Sequence, residues 1–199
     1  MSWIPLNALF LAIAPFAGWI VKRYGTARTI GAGLVIAGIG MLGLGRLDLE
    51  SSYAAAWPWY LLIGLGYGML VPAVSSAAMS AVPADHSGAG SGILNSSRQV
   101  GAALGLAVLG SISVAAASRA WRASLATFPE AARAQATALI QQVAGGEGPA
   151  VAAAIGPGAL VPAFDAFVAG YRVALLIAGL LLLVGAAVAF TGLRARHDG

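Results

Sequence analysis

The chain of 199 residues is 59% hydrophobic and only 9% charged, where an ordinary soluble domain is about 25% charged. That balance excludes a soluble enzyme, a disordered tail and a nucleic-acid binder, and the net charge of +4 is spread over too few residues to form a phosphate-binding patch. Cysteine is absent, which removes disulfides, thiolate metal sites and thiol nucleophiles.

Charge-free runs set the expected membrane spans, each needing about 20 apolar residues to cross about 30 Å of hydrocarbon. The first covers approximately residues 3–21. Lys22 and Arg23 follow its apolar stretch instead of preceding it, so it reads as a retained helix and not as a cleaved signal peptide. The second span is expected over 29–47, the third over 58–80, the fourth over 89–117 and the fifth over 170–191. A long connection, 118–169, separates the last two. Its first half, Ala115 to Val143, is rich in helix formers and suits either a surface-lying helix or a solvated hairpin capping a bundle. Gly145 to Pro149 breaks that helix. Pro149 to Phe164 is uncharged and alanine-rich, with Gly156-Pro157-Gly158 in its middle. It reads as a loop near the surface, with a short re-entrant segment as the alternative.

Five spans put the termini on opposite sides. Lys22, Arg23 and Arg28 make the first loop strongly positive, and Arg194 and Arg196 do the same for the C-terminal tail. Both are therefore expected inside, with 118–169 extracytoplasmic. Arg119, Arg122 and Arg133 in that long connection are partly exempt from the rule.

The seven acids, Asp48, Glu50, Asp85, Glu130, Glu147, Asp165 and Asp198, all avoid the apolar cores. Arg98 is the one internal charge, about 16 Å into its helix. A cation there either lines a substrate path or pairs with a carbonyl across a helix contact, or in the structural reading snorkels to the inner headgroups or braces a helix without touching substrate. Asn95 and Gln99, one turn apart, can hydrogen-bond a neighbouring helix. Three G-x-x-x-G pairs, Gly64 with Gly68, Gly88 with Gly92 and Gly101 with Gly105, allow close helix packing, either static or rocking. No catalytic set, cofactor loop or metal-ligand spacing is readable, and neither His86 nor His197 suggests a ligand. No enzyme and no cofactor is expected.

The stretch Gly18 to Arg28 resembles the cytoplasmic loop motif of the major facilitator superfamily, with Gly18, Arg23, Gly25 and Arg28 matching. Lys22 stands where that motif has an acid, and Ala27 where it has a base. A second stretch is similar to the fourteen-span drug:proton antiporter branch. It comprises Gly64-Leu65-Gly66-Tyr67-Gly68, Pro72, Ala77 to Ser80, Val82-Pro83, Gly88, Ser91-Gly92, Asn95, Arg98-Gln99, Gly101, Gly105 and Gly110.

The resemblance implies an all-α integral membrane protein forming five transmembrane helices of a six-helix C-terminal bundle. It implies that the N-terminal half, which carries most of the coupling acids, is missing. A truncated gene product, a mis-set start codon and a half that needs a partner are the three readings of the chain. The intact relatives would exchange protons for lipophilic compounds across a bacterial inner membrane, as multi-pass proteins in the lipid bilayer. Candidate cavity or helix-contact residues are Asn7, Tyr67, Met69, Ser75, Ser76, Asn95, Arg98 and Gln99. A facilitator of another small solute and a non-transporting membrane scaffold or regulator are the alternatives.

Overall fold

A computed structural model describes residues 16–48 and 51–192. Most of the first expected span, with Asn7, and the C-terminal tail after Gly192 lie outside the described residues. Within them the chain is all-α, with helices α1 (Ala17–Tyr24), α2 (Thr26–Leu44), α3 (Tyr53–Ser80), α4 (Ser87–Ser124), α5 (Glu130–Ala138), α6 (Ile140–Ala144), α7 (Gly148–Ile155) and α8 (Leu160–Gly192). Single 3-10 turns occupy Ala84–His86, Leu125–Thr127 and Pro157–Ala159. Among the described residues, four segments are long and apolar enough to cross a membrane: Thr26–Leu44, Tyr53–Ser80, Ala84–Thr127 and Pro157–Thr191.

The helices divide into two compact units. The first takes residues 16–44, 52–105 and 178–192, and the second residues 45–48, 51 and 106–177. In the first unit, α2 is the axis because its glycines let two helices approach. A Cβ at Gly33 would lie 2.9 Å from the Gly66 carbonyl oxygen, and one at Gly66 would lie 2.6 Å from both Ala37 N and the Gly33 carbonyl oxygen. Gly40, two turns beyond Gly33, lies against Ile63, and Gly43 lies under the Trp59 ring. A second row, Gly31 and Gly38, faces α8 through Phe190 and Gly179. Backbones held this close gain dispersion contacts that longer side chains would prevent, and in lipid that packing drives association.

Only one glycine pair of the three expected for packing, Gly64 and Gly68 on α3, is buried. Gly88, Gly92, Gly101 and Gly105 on α4 have open space where a Cβ would stand. The correction has a simple cause. Glycine spacing shows that a helix can be approached, but not that a partner is present.

The second unit is built on Trp121, in the last turn of α4. Its side chain is fully buried with Val143, Val151, Ala136, Ala159, Ala163 and Ala166, and Phe128 stacks obliquely at 5.4 Å between ring centroids. The indole Nε1–H donates to the Ala136 carbonyl at 2.8 Å, which satisfies its one polar atom. Gly146, with φ +81°, passes beneath Phe167, and Gly148 beneath Phe164. Arg133 closes the turn before α5 by donating to the Phe128 and Ala126 carbonyls.

Two expectations change here. Ala115–Val143 is neither one surface helix nor a simple hairpin, because α4 runs on to Ser124 and short helices then wrap its end. Pro149–Phe164 is not a loop. Residues 148–155 are helical and α8 already starts at Leu160. Alanine favours helix, and the break is confined to Gly156, whose φ of +108° suits glycine, and the 3-10 turn after it.

Candidate functional site

The positive stretch 22–28 is not an extended loop. Lys22 and Arg23 occupy the last turn of α1, where cations complement the helix dipole, and Arg28 lies in the first turn of α2. The connection is Gly25 alone, at φ 85° and ψ 156°, a region essentially reserved for glycine. Its N–H donates to the Val21 carbonyl at 2.9 Å, and its own carbonyl accepts from the buried Thr29 hydroxyl at 2.8 Å. Gly25 is thus required by the tight reversal. The Arg23 guanidinium stands 5.8 Å from the centroids of both the Trp19 and Tyr24 rings, within cation–π range.

The expected cavity residues separate into two places, both in the first unit. Met69 lines an open groove of about 430 Å³ with Trp19, Ile20, Tyr24, Arg28 and Ala32. Ser75, two turns along α3, belongs to a different contact. Arg98 reaches across from α4, and its Nη2 donates to the Ser75 hydroxyl at 2.5 Å and to the Val71 carbonyl at 3.2 Å. Ser75 in turn donates to the same Val71 carbonyl at 2.8 Å. Pro72 follows Val71 and has no N–H for the Gly68 carbonyl, so α3 is weakened where the guanidinium binds.

Arg98 thus contacts a carbonyl and a hydroxyl of the neighbouring helix. It also remains exposed, and none of the ion pairs among the described residues involves it. Ser76, Asn95 and Gln99 are exposed and make no side-chain hydrogen bond among the described residues, and Tyr67 is half-buried. No group of three or more His, Cys, Asp or Glu that could hold a metal occurs among the described residues. Asp165 sits exposed near the start of α8. The contacts missed by sequence reasoning are Ser75 as the direct partner of Arg98, and Arg172, which donates to the Gly45 carbonyl at 3.2 Å and to Asp48 at 2.7 Å within the second unit. Neither leaves a periodic signal, because each pairs residues far apart in the chain.

The open face of α4 is the other property of this region. Its apolar window is only 6% buried, and Ile93, Val100, Leu104 and Leu106 are exposed beside the unoccupied glycines.

The sequence profile of the Major Facilitator Superfamily matches residues 1–106. The chain belongs to that superfamily. Among curated proteins, the tetracenomycin C resistance and export protein of Streptomyces glaucescens is 29% identical over 98% of this chain and 37% of its own length. The methyl viologen resistance protein SmvA of Salmonella typhimurium is 30% identical over 85% of this chain and 34% of its own. The puromycin resistance protein pur8 of Streptomyces alboniger is 34% identical over 66% of this chain and 27% of its own. The chain thus spans about a third of the length of the first two of these relatives. As a superfamily member with several long apolar helices, it is a multi-pass membrane protein whose solvent is the lipid bilayer.

Proposed function

We propose that this chain is the C-terminal portion of a proton-coupled exporter of lipophilic small molecules in a bacterial cell membrane. The observation that carries this reading is its similarity, over 98% of its length, to a protein named for antibiotic resistance and export. In this reading it supplies one wall of the transport path, and an N-terminal half supplies the other together with the coupling acids. The exposed glycine-rich face of α4 supports this, because that face suits close approach by helices absent from this chain. The wall would carry Arg98, Ser75, Ser76, Asn95, Gln99 and Tyr67. The positive end of α1 would face the cytoplasm, and the Trp121 core would lie in the extracytoplasmic connection.

Arg98 is the residue to test. It couples α3 to α4 at Pro72 and keeps an exposed cation on the proposed path. In a complete transporter carrying this chain, Arg98→Ala is expected to lower ethidium extrusion by about 10- to 100-fold, the value of a charge-assisted hydrogen bond. Expression should be unchanged. Arg98→Lys should recover only part of the rate, since an ammonium lacks the planar fork of a guanidinium. Ethidium extrusion by Arg98→Ala at the parental rate would contradict the role, and absence of extrusion from the parent would contradict the reading as an exporter.

A further inference from the structure

We propose that the groove beside Trp19 and Tyr24 is a binding site for one anionic phospholipid. The phosphodiester lies among Lys22, Arg23 and Arg28, and an acyl chain runs along Ile20, Ala32 and Met69. The inference rests on membrane residence and not on transport.

Three observations on the first unit converge. The groove, about 430 Å³, lies within the range of small-molecule sites, and Ile20, Ala32 and Met69 give it apolar walls suited to hydrocarbon. Its rim is cationic. Arg28 lines it directly, and Lys22 and Arg23 lie in the last turn of α1, with Arg23 held against the two aromatic rings that also line the groove. No acid occurs anywhere in residues 1–47, so these cations have no local counter-ion in sequence. None of them takes part in an ion pair among the described residues.

A phosphodiester supplies the missing charge, and Trp19 and Tyr24 are the residue types that sit at headgroup depth. Lys22 adds a further positive charge in the same helical turn as Arg23. A basic pocket between helices, open to lipid and lined by aromatics, is suited to an anionic headgroup. A free phosphate ester would satisfy the cations but would leave the apolar walls exposed. That difference separates the lipid from the soluble anion.

Native mass spectrometry of the full chain, released from mixed micelles, reads the result. Phosphatidylglycerol, phosphatidylcholine and glycerol 3-phosphate serve as probes. Wild-type protein should retain one phosphatidylglycerol about 25-fold better than phosphatidylcholine, the value of two cations at about fivefold each. Lys22→Gln/Arg23→Gln/Arg28→Gln should weaken phosphatidylglycerol roughly 100-fold on the same scale. Ala32→Phe fills the apolar end and leaves every cation in place. It should weaken the lipid at least about tenfold, the equivalent of two buried methylenes, and leave glycerol 3-phosphate unaffected. Arg119→Gln/Arg122→Gln, in the second unit, should change nothing. Lys22, Arg23 and Arg28 are all exposed, so their variants should keep wild-type helicity by circular dichroism. Equal retention of the two lipids, an unchanged Ala32→Phe, or glycerol 3-phosphate binding as tightly as phosphatidylglycerol would overturn the proposal.

Discussion

Trp121→Ala is expected to destabilise the second unit by about 3–5 kcal/mol, the range for deleting a fully buried large aromatic. The basis is specific. Trp121 is fully buried, Phe128 packs at 5.4 Å, and short helices from three parts of the connection meet on its ring. A second, smaller cost arises because the Ala136 carbonyl loses the indole donor. Trp121→Phe isolates much of that cost, about 1–3 kcal/mol for an unsatisfied buried acceptor together with a modest cavity. Hydrogen exchange read by mass spectrometry should show faster exchange across 121–166 in Trp121→Ala, with α2 and α3 protected as in wild type. Unchanged exchange in 121–166 would mean that the tryptophan does not hold this unit together.

Gly66→Leu is expected to prevent α2 and α3 from docking. Even the first added carbon would stand 2.6 Å from Ala37 N and from the Gly33 carbonyl oxygen. Those are backbone atoms of a helix and cannot rotate away, so the helices must separate and surrender the contacts at Gly40 and Gly43 as well. Gly66→Ala should therefore cost about 3 kcal/mol, the upper end for overpacking. The counterpart is Gly101→Ala on α4, where a Cβ would meet nothing within 4 Å. There the gain in helix propensity, up to about 1 kcal/mol, should leave the isolated chain as stable as before or slightly more so. Thermal unfolding of the two variants in detergent should separate them clearly. Equal midpoints would contradict the packing described for α2 and α3.

The contrast between these glycines shows what the sequence could convey. Membrane composition, the helical class and the unusual position of Arg98 all follow from where charge is absent. Arg98 could be recognised because a cation in an apolar run stands out against its neighbours. Its acceptors could not, since Ser75 and Val71 are ordinary residues made special by a helix crossing. The run from Thr29 to Gly45 is dense in glycine, and its useful order is the seven-residue repeat that puts Gly33 with Gly40 on one side and Gly31 with Gly38 on another. That repeat yields no four-residue pair, so a search for G-x-x-x-G passes over it. The Trp121 core was hidden for another reason. Its members are mainly alanine and valine, scattered over 121–166, and no periodic stripe joins them. The alanine stretch after Pro149 was misjudged because one Gly-Pro break was extended to its neighbours, whereas the helix gives way only at Gly156.

The low charge content has two consequences. Sparse acids leave Arg98 exposed without an ion-pair partner among the described residues, and they leave the α1 end uniformly positive. The first suits a path wall facing a partner half. The second suits an anionic lipid. The two sites are distinct, because Met69 and Ser75 on the same helix serve different ones.

In the proposed reading, Asn95, Arg98 and Gln99 on α4 line a transport path for lipophilic compounds. The chain contains no cysteine, so one introduced thiol reports without background from it. Asn95→Cys and Gln99→Cys, both at exposed positions of the proposed wall and placed one at a time in the complete transporter, should react with a water-soluble maleimide, and saturating ethidium should slow that reaction at least about tenfold if it occupies the path. Modification at an unchanged rate with and without ethidium, in a transporter that still extrudes it, would contradict the claim.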